Sequence, residues 1–132
     1  MSALSVITPE GPVVGFVDRE VDEVTLPGVL GEFGVLDGHV AFISASRAGV
    51  LSFRKGTERG KVALGPGFVE VDGKGAVEVL VQQAVAGGEV DAAAAERLRA
   101  DADGRLKKAQ DPAEQRRAQA DLDWAEAQLQ SR

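Results

Sequence analysis

Residues 76–100 read AVEVLVQQAVAGGEVDAAAAERLRA, and the chain changes character in the middle of them. Before Gly87 and Gly88, Val77, Val79 and Val81 stand at every second position, the spacing that puts side chains on one face of a strand. After the glycines come alanine, charge and leucine, with no β-branched residue beyond Val90, and Asp91 stands where a helix needs an N-cap. The two glycines divide the chain into a strand-built part, residues 1–88, and a helical part, residues 89–132.

Upstream of the boundary the apolar residues come in short alternating runs, with Val21, Val24 and Leu26 a second example. Turn residues punctuate the runs at Pro9 and Pro12, Pro27 and Gly28, Asp37 and Gly38, Gly56, Gly65 and Gly67, and Asp72 to Gly75. About nine strands fit this spacing, which predicts an antiparallel sandwich or flattened barrel.

Downstream, two helices are written. The first follows Asp91 and ends near Lys107 and Lys108, where cations suit the negative end of the helix dipole. The second opens with Asp111, Pro112 and Glu114, an N-cap, a proline at the first helical position and an acid at the third. Ala95, Leu98, Ala102, Leu106 and Ala109 form one stripe and Ala118, Leu122, Ala125 and Leu129 another, so the helices can zip as an antiparallel hairpin. Half of that seam is alanine, which buries far less area than leucine at about 25 cal/mol per Å². Gly104 weakens it by roughly 1 kcal/mol more. Two readings stay open, a mobile regulatory element and a structural tail. Trp124 lies off the seam, either packing the hairpin onto the sandwich or anchoring a partner.

Composition excludes several function classes. The chain of 132 residues is 44% apolar with a net charge of −6, which repels nucleic-acid phosphates and anionic lipid headgroups, so no nucleic-acid partner and no membrane insertion are expected. It has no cysteine and a single histidine, His39, so neither a thiolate site nor a multi-histidine metal site is available, and no cofactor is expected. No phosphate-binding glycine loop or dinucleotide fingerprint occurs. Ser44 and Ser46 lie in an alternating run rather than on a nucleophile elbow. Asp18, Glu20, Asp22 and Glu23 read as solvated surface charge.

Several segments, in order, carry a resemblance: ITPEGPVV near the start, then EVDEVTLPGVLGEFGVLDGH, AGVL, VALGPGFVEV and AVEVLVQQAV, and last the alanine-rich helical pair. The chain resembles the epsilon subunit of F-type ATP synthase, called delta in mitochondria, over essentially its whole length. The resemblance implies a ten-stranded β-sandwich followed by a helical hairpin. It implies a non-catalytic rotor subunit that binds the gamma subunit and the c-subunit ring, coupling proton-driven rotation to the alpha-beta hexamer. It also implies that the hairpin can obstruct rotation in the hydrolytic direction.

By the same resemblance, Leu26, Pro27, Gly28, Gly31, Glu32, Phe33 and Gly34 form the strip that meets the c ring, with Glu32 facing its polar loops. His39, with Phe42, matches the gamma contact. Asp37 replaces the family's proline. Arg97, Arg99, Arg105, Lys107, Lys108, Arg116 and Arg117 are the basic residues available to approach a beta subunit, although the tail from Glu89 onward holds eight basic and ten acidic side chains. Of the nucleotide-binding motif of some relatives only Asp91 is matched, since Ala94 stands where the arginine belongs, and weak or absent nucleotide binding is expected. With no organelle transit peptide visible at the N-terminus, the subunit is expected at the cytoplasmic face of a bacterial inner membrane. The competing reading is a stand-alone β-sandwich module for a small ligand, for which aromatics are sparse at 5%.

Overall fold

The structure, a computed structural model, describes residues 2–36 and 41–132. Eleven strands are formed among them: β1 (Ser2–Thr8), β2 (Gly11–Pro12), β3 (Arg19–Val21), β4 (Glu23–Gly28), β5 (Gly31–Leu36), β6 (Phe42–Ser46), β7 (Gly49–Lys55), β8 (Glu58–Leu64), β9 (Gly67–Val71), β10 (Ala76–Val81) and β11 (Ala84–Ala86). A single 3-10 turn, Gly87–Glu89, leads to the helices α1 (Ala92–Lys108) and α2 (Pro112–Gln130).

The strands form one continuous path, β11-β8-β7-β4-β6-β9-β10-β1-β2, with β5 on β4 and β3 on β1. Among the described residues the ladder between the two halves has one paired position, Gly28 of β4 with Ser46 of β6, flanked by the Arg47 N–H donating to the Pro27 carbonyl at 2.9 Å. One buried cluster draws side chains from both, with Leu26, Leu51 and Leu64 from the first half and Leu4, Val69 and Val79 from the second. This is the sandwich that the alternating valines predict. Val77, Val79 and Val81 are all buried.

Two details depart from the sequence reading. Pairing is antiparallel except between β1 and β10, which run parallel with Leu4 opposite Val77 and Val6 opposite Val79. And Val21, Val24 and Leu26 do not belong to one alternating strand. A bend at Asp22, whose N–H donates to the Arg54 carbonyl at 2.7 Å, separates β3 from β4 and lets Val21 and Val24 both point inward despite a spacing of three.

Both helix starts follow the capping chemistry. Asp91 accepts from the Ala94 N–H at 3.0 Å and Asp111 from the Glu114 N–H at 2.9 Å, while the Glu114 carboxylate reaches back to the Gln110 N–H at 3.2 Å. The seam is built on alanine: Ala95, Ala102, Ala118 and Ala125 are buried, whereas Leu98, Leu106, Leu122 and Leu129 are only half-buried. Ala127 is buried off that stripe, on the helix that lies against β7 and β8. It is α2 that carries the hairpin on the sandwich, and α1 packs chiefly on α2. Trp124 is half-buried on α2.

Candidate functional site

The glycine-rich segment is a β-hairpin. In β4 and β5 Leu26 pairs with Phe33, Pro27 with Glu32 and Gly28 with Gly31, leaving Val29 and Leu30 as a bare tip. Leu30 is fully exposed and Val29 is 58% exposed. Gly31 has φ +128, a conformation that favours glycine. A Cβ on Gly28 would stand 2.7 Å from the Gly31 carbonyl oxygen and 2.9 Å from the Phe33 ring, so this glycine lets the two arms close.

The hairpin splits the expected contact strip in two. Gly31, Glu32 and Gly34 are exposed, but Leu26 is core, Pro27 and Gly28 are buried, and Phe33 is half-buried with its ring edge-on to Phe42 at 5.8 Å. Strand alternation turns Leu26 inward with Val24, and Pro27 is covered by Gly49, where an added Cβ would come within 2.7 Å of the proline ring. The outward surface of the segment is its tip plus Glu32, with Val29 and Leu30 in place of Leu26, Pro27 and Gly28.

His39 lies outside the described residues, as do Asp37 and Gly38. Phe42 packs against the core, and it is its neighbour Ile43 that projects, 70% exposed. Ile43 has company. Across the outer face of β6, β9, β10 and β1, Ala45 pairs with Phe68, Phe68 with Leu80 and Leu80 with Ile7, forming an apolar row in which Phe68 is 56% and Leu80 41% exposed. An open hollow of about 600 Å³ runs along it, lined by Ile7, Pro9, Pro66, Phe68 and Leu80. The next row holds Ile43, Glu70 and Glu78, so acids border the apolar stripe. Sequence reading missed this face. The available signal is an apolar residue on the outward phase of an alternating strand, as Leu80 is between Val79 and Val81, and such residues gathered on neighbouring strands mark contact surfaces.

The basic residues of the hairpin fall into two groups. Arg99 pairs with Glu96 at 2.6 Å, Lys107 with Asp103 at 3.0 Å, and Arg105 with both Asp101 at 2.8 Å and Asp121 at 2.7 Å. The Asp121 and Asp101 carboxylates hold the Arg105 guanidinium above its ordinary pKa. Arg97, Lys108, Arg116 and Arg117 are exposed and have no ion-pair partner among the described residues. All four are free to meet another protein; Arg117 borders the groove between the two helices with Gly104 and Lys108, and Arg116 is its exposed chain neighbour on α2. Asp91 already uses a carboxylate oxygen as the N-cap of α1.

A second, larger cleft of about 1290 Å³ lies between the sandwich and the base of the hairpin, lined by Phe16, Arg19, Phe53, Lys61, Val85 and Arg132. Its aromatic floor is not an open platform, because the Arg19 guanidinium sits over both rings, 4.9 Å from Phe16 and 4.5 Å from Phe53. Among the described residues no group of three or more His, Cys, Asp or Glu is placed to hold a metal ion. Among the described residues no helix is long and apolar enough to cross a membrane.

Residues 2–87 match the family model for the ATP synthase delta/epsilon chain beta-sandwich domain. The ATP synthase epsilon chain of Magnetococcus marinus is 40% identical over 127 residues, covering 96% of this chain and 90% of its own. That of Syntrophobacter fumaroxidans is 39% identical over 126 residues, covering 96% and 91%. In fold, the chain is similar to one in the Euglena gracilis mitochondrial ATP synthase, with a TM-score of 0.82 at 22% identity over 98% of this chain and 79% of that one. It is also similar to one in the central stalk and c-ring of Tetrahymena thermophila mitochondrial ATP synthase, with a TM-score of 0.67 at 16% identity, covering 98% and 94%.

Proposed function

The chain belongs to the ATP synthase epsilon-chain family and is a non-catalytic subunit of that complex, and we propose that it works there as a rotor part coupling the c-subunit ring to the gamma subunit and the alpha-beta hexamer. The observation that carries the docking role is the outward apolar row of Ile7, Phe68 and Leu80 with Ile43 beside it, a surface that a subunit working alone would leave wet. We assign this face to gamma. The exposed tip of the β4–β5 hairpin, Val29 to Glu32, is assigned to the c ring, where two apolar side chains, one glycine and one carboxylate suit close approach to polar loops. The description of the Tetrahymena structure as central stalk and c-ring supports a place in the central stalk. The complex is driven by protons, and the subunit sits peripherally on the cytoplasmic side of a bacterial membrane.

Residues 89–132 form the regulatory unit, a hairpin held by an alanine seam that can leave the sandwich at small cost and oppose ATP hydrolysis. Arg116 and Arg117 carry the contact with a beta subunit. ATP hydrolysis by an alpha-beta-gamma complex titrated with the full chain tests this. The rate is expected to fall with the native chain and to recover with the double substitution Arg116→Glu and Arg117→Glu. Equal inhibition by the two chains would remove the role of Arg116 and Arg117, and an unchanged rate with the native chain would remove the braking role.

A further inference from the structure

We propose that Gly87 is the seat on which the C-terminal end of α2 docks, so that the absence of one methyl group sets how firmly the hairpin is held to the sandwich. A Cβ built on Gly87 would overlap the carbonyl oxygen of Ser131 and lie 3.1 Å from that of Lys61. Ser131 is buried, and its own donors are turned the other way: its N–H donates to the Ala127 carbonyl at 3.1 Å and its hydroxyl to the Gln128 carbonyl at 2.9 Å. The last turn of α2 is therefore well formed where it meets the glycine. Gly87 stands shortly before α1 and Ser131 just after α2, so this contact joins the two ends of the helical unit where α2 leaves its packing on β7 and β8.

Only one side of the contact can yield. Lys61 lies within β8, opposite Ser52 of β7, and the next residue, Val62, is paired with Ala86 of β11. That wall is fixed by ladders on both sides. An alanine at position 87 is accommodated by lifting Ser131, and with it the end of the helix that lies against β7 and β8. Backbone strain plays no part, because Gly87 is not among the glycines with positive φ. The adjacent Gly88 is an internal control: a Cβ there meets nothing within 4 Å. Alanine at either position restricts the unfolded chain similarly, so a difference between the two variants isolates the steric contact.

The seat does not depend on whether the hairpin brakes the enzyme, and it is tested on the isolated full-length chain. Hydrogen exchange is measured on native protein, Gly87→Ala and Gly88→Ala. In Gly87→Ala the amides of α2 and α1 are expected to exchange about tenfold faster, since helices cut off from their packing are marginal, while β7 and β8 keep native protection. Gly88→Ala is expected to match the native chain. Native protection of α2 in Gly87→Ala would overturn the proposal. So would equal loosening in Gly88→Ala, which would assign the effect to the linker, or equal loosening of β7 and β8, which would mean general destabilisation.

Discussion

Arg105 on α1 donates to the carboxylate of Asp121 on α2 at 2.7 Å while its Nε donates to Asp101 on its own helix at 2.8 Å. One guanidinium thus ties the two helices across a seam whose buried members are alanines, and the tie is exposed to solvent and to salt. Removing it with Arg105→Ala is expected to speed amide exchange in both helices by roughly two- to fivefold at low ionic strength. The difference from the native chain should shrink in 1 M salt, where the pair is screened within about 3 Å. A salt-independent difference would mean that the side chain acts by packing.

Leu26 and Leu30 sit four positions apart and are expected to behave in opposite ways. Leu26→Ala removes a fully buried side chain and should cost about 2–5 kcal/mol in chemical unfolding. Leu30→Ala changes a side chain that touches only solvent and should stay within about 0.5 kcal/mol. Binding to the c ring should show the reverse, weakened by Leu30→Ala and untouched in those Leu26→Ala molecules that remain folded.

Asp22 gives the acid limb of stability a traceable contributor. The Gly56 N–H donates to its carboxylate at 2.7 Å, and Lys55 and Arg54 lie at 4.0 and 3.5 Å, which together hold its pKa below the ordinary 3.8. The unfolded chain therefore takes up this proton first. The contribution is complete above 3.8 and is lost as pH falls through the lower folded value. Thermal melts of native chain and Asp22→Asn should differ most near neutral pH and converge in acid. A gap that stayed constant as pH fell would assign the effect of the substitution to something other than the carboxylate charge.

What the sequence made legible was local. Asp91, Asp111 and Pro112 announce the helix starts because capping acts within one turn, and Val77, Val79 and Val81 announce their strand because alternation needs only its own residues. The parallel pairing of β1 with β10 was not legible, since a strand's pattern is the same whichever way its neighbour runs and that neighbour lies some seventy positions away. The apolar row was hidden for a related reason. Ile43, Phe68 and Leu80 are single residues on three strands, and only the register brings Phe68 beside Leu80. Within the glycine-rich segment the family pattern named a continuous strip, but the pleat alternates it, and the pleat decides that Leu26 is core while Glu32 is surface.

Binding of the full chain to an alpha-beta-gamma complex, with native protein compared against the double substitution Ile43→Glu and Phe68→Glu, tests the central claim most directly. Both positions are exposed, so the fold should be unaffected, which a native far-ultraviolet spectrum and melting temperature would verify. The native chain is expected to co-elute with the complex and the variant to elute alone, because two carboxylates would be buried against an apolar partner. Co-elution of the variant at native affinity would contradict the assignment of this face to gamma, and failure of the native chain to bind would contradict the rotor role itself.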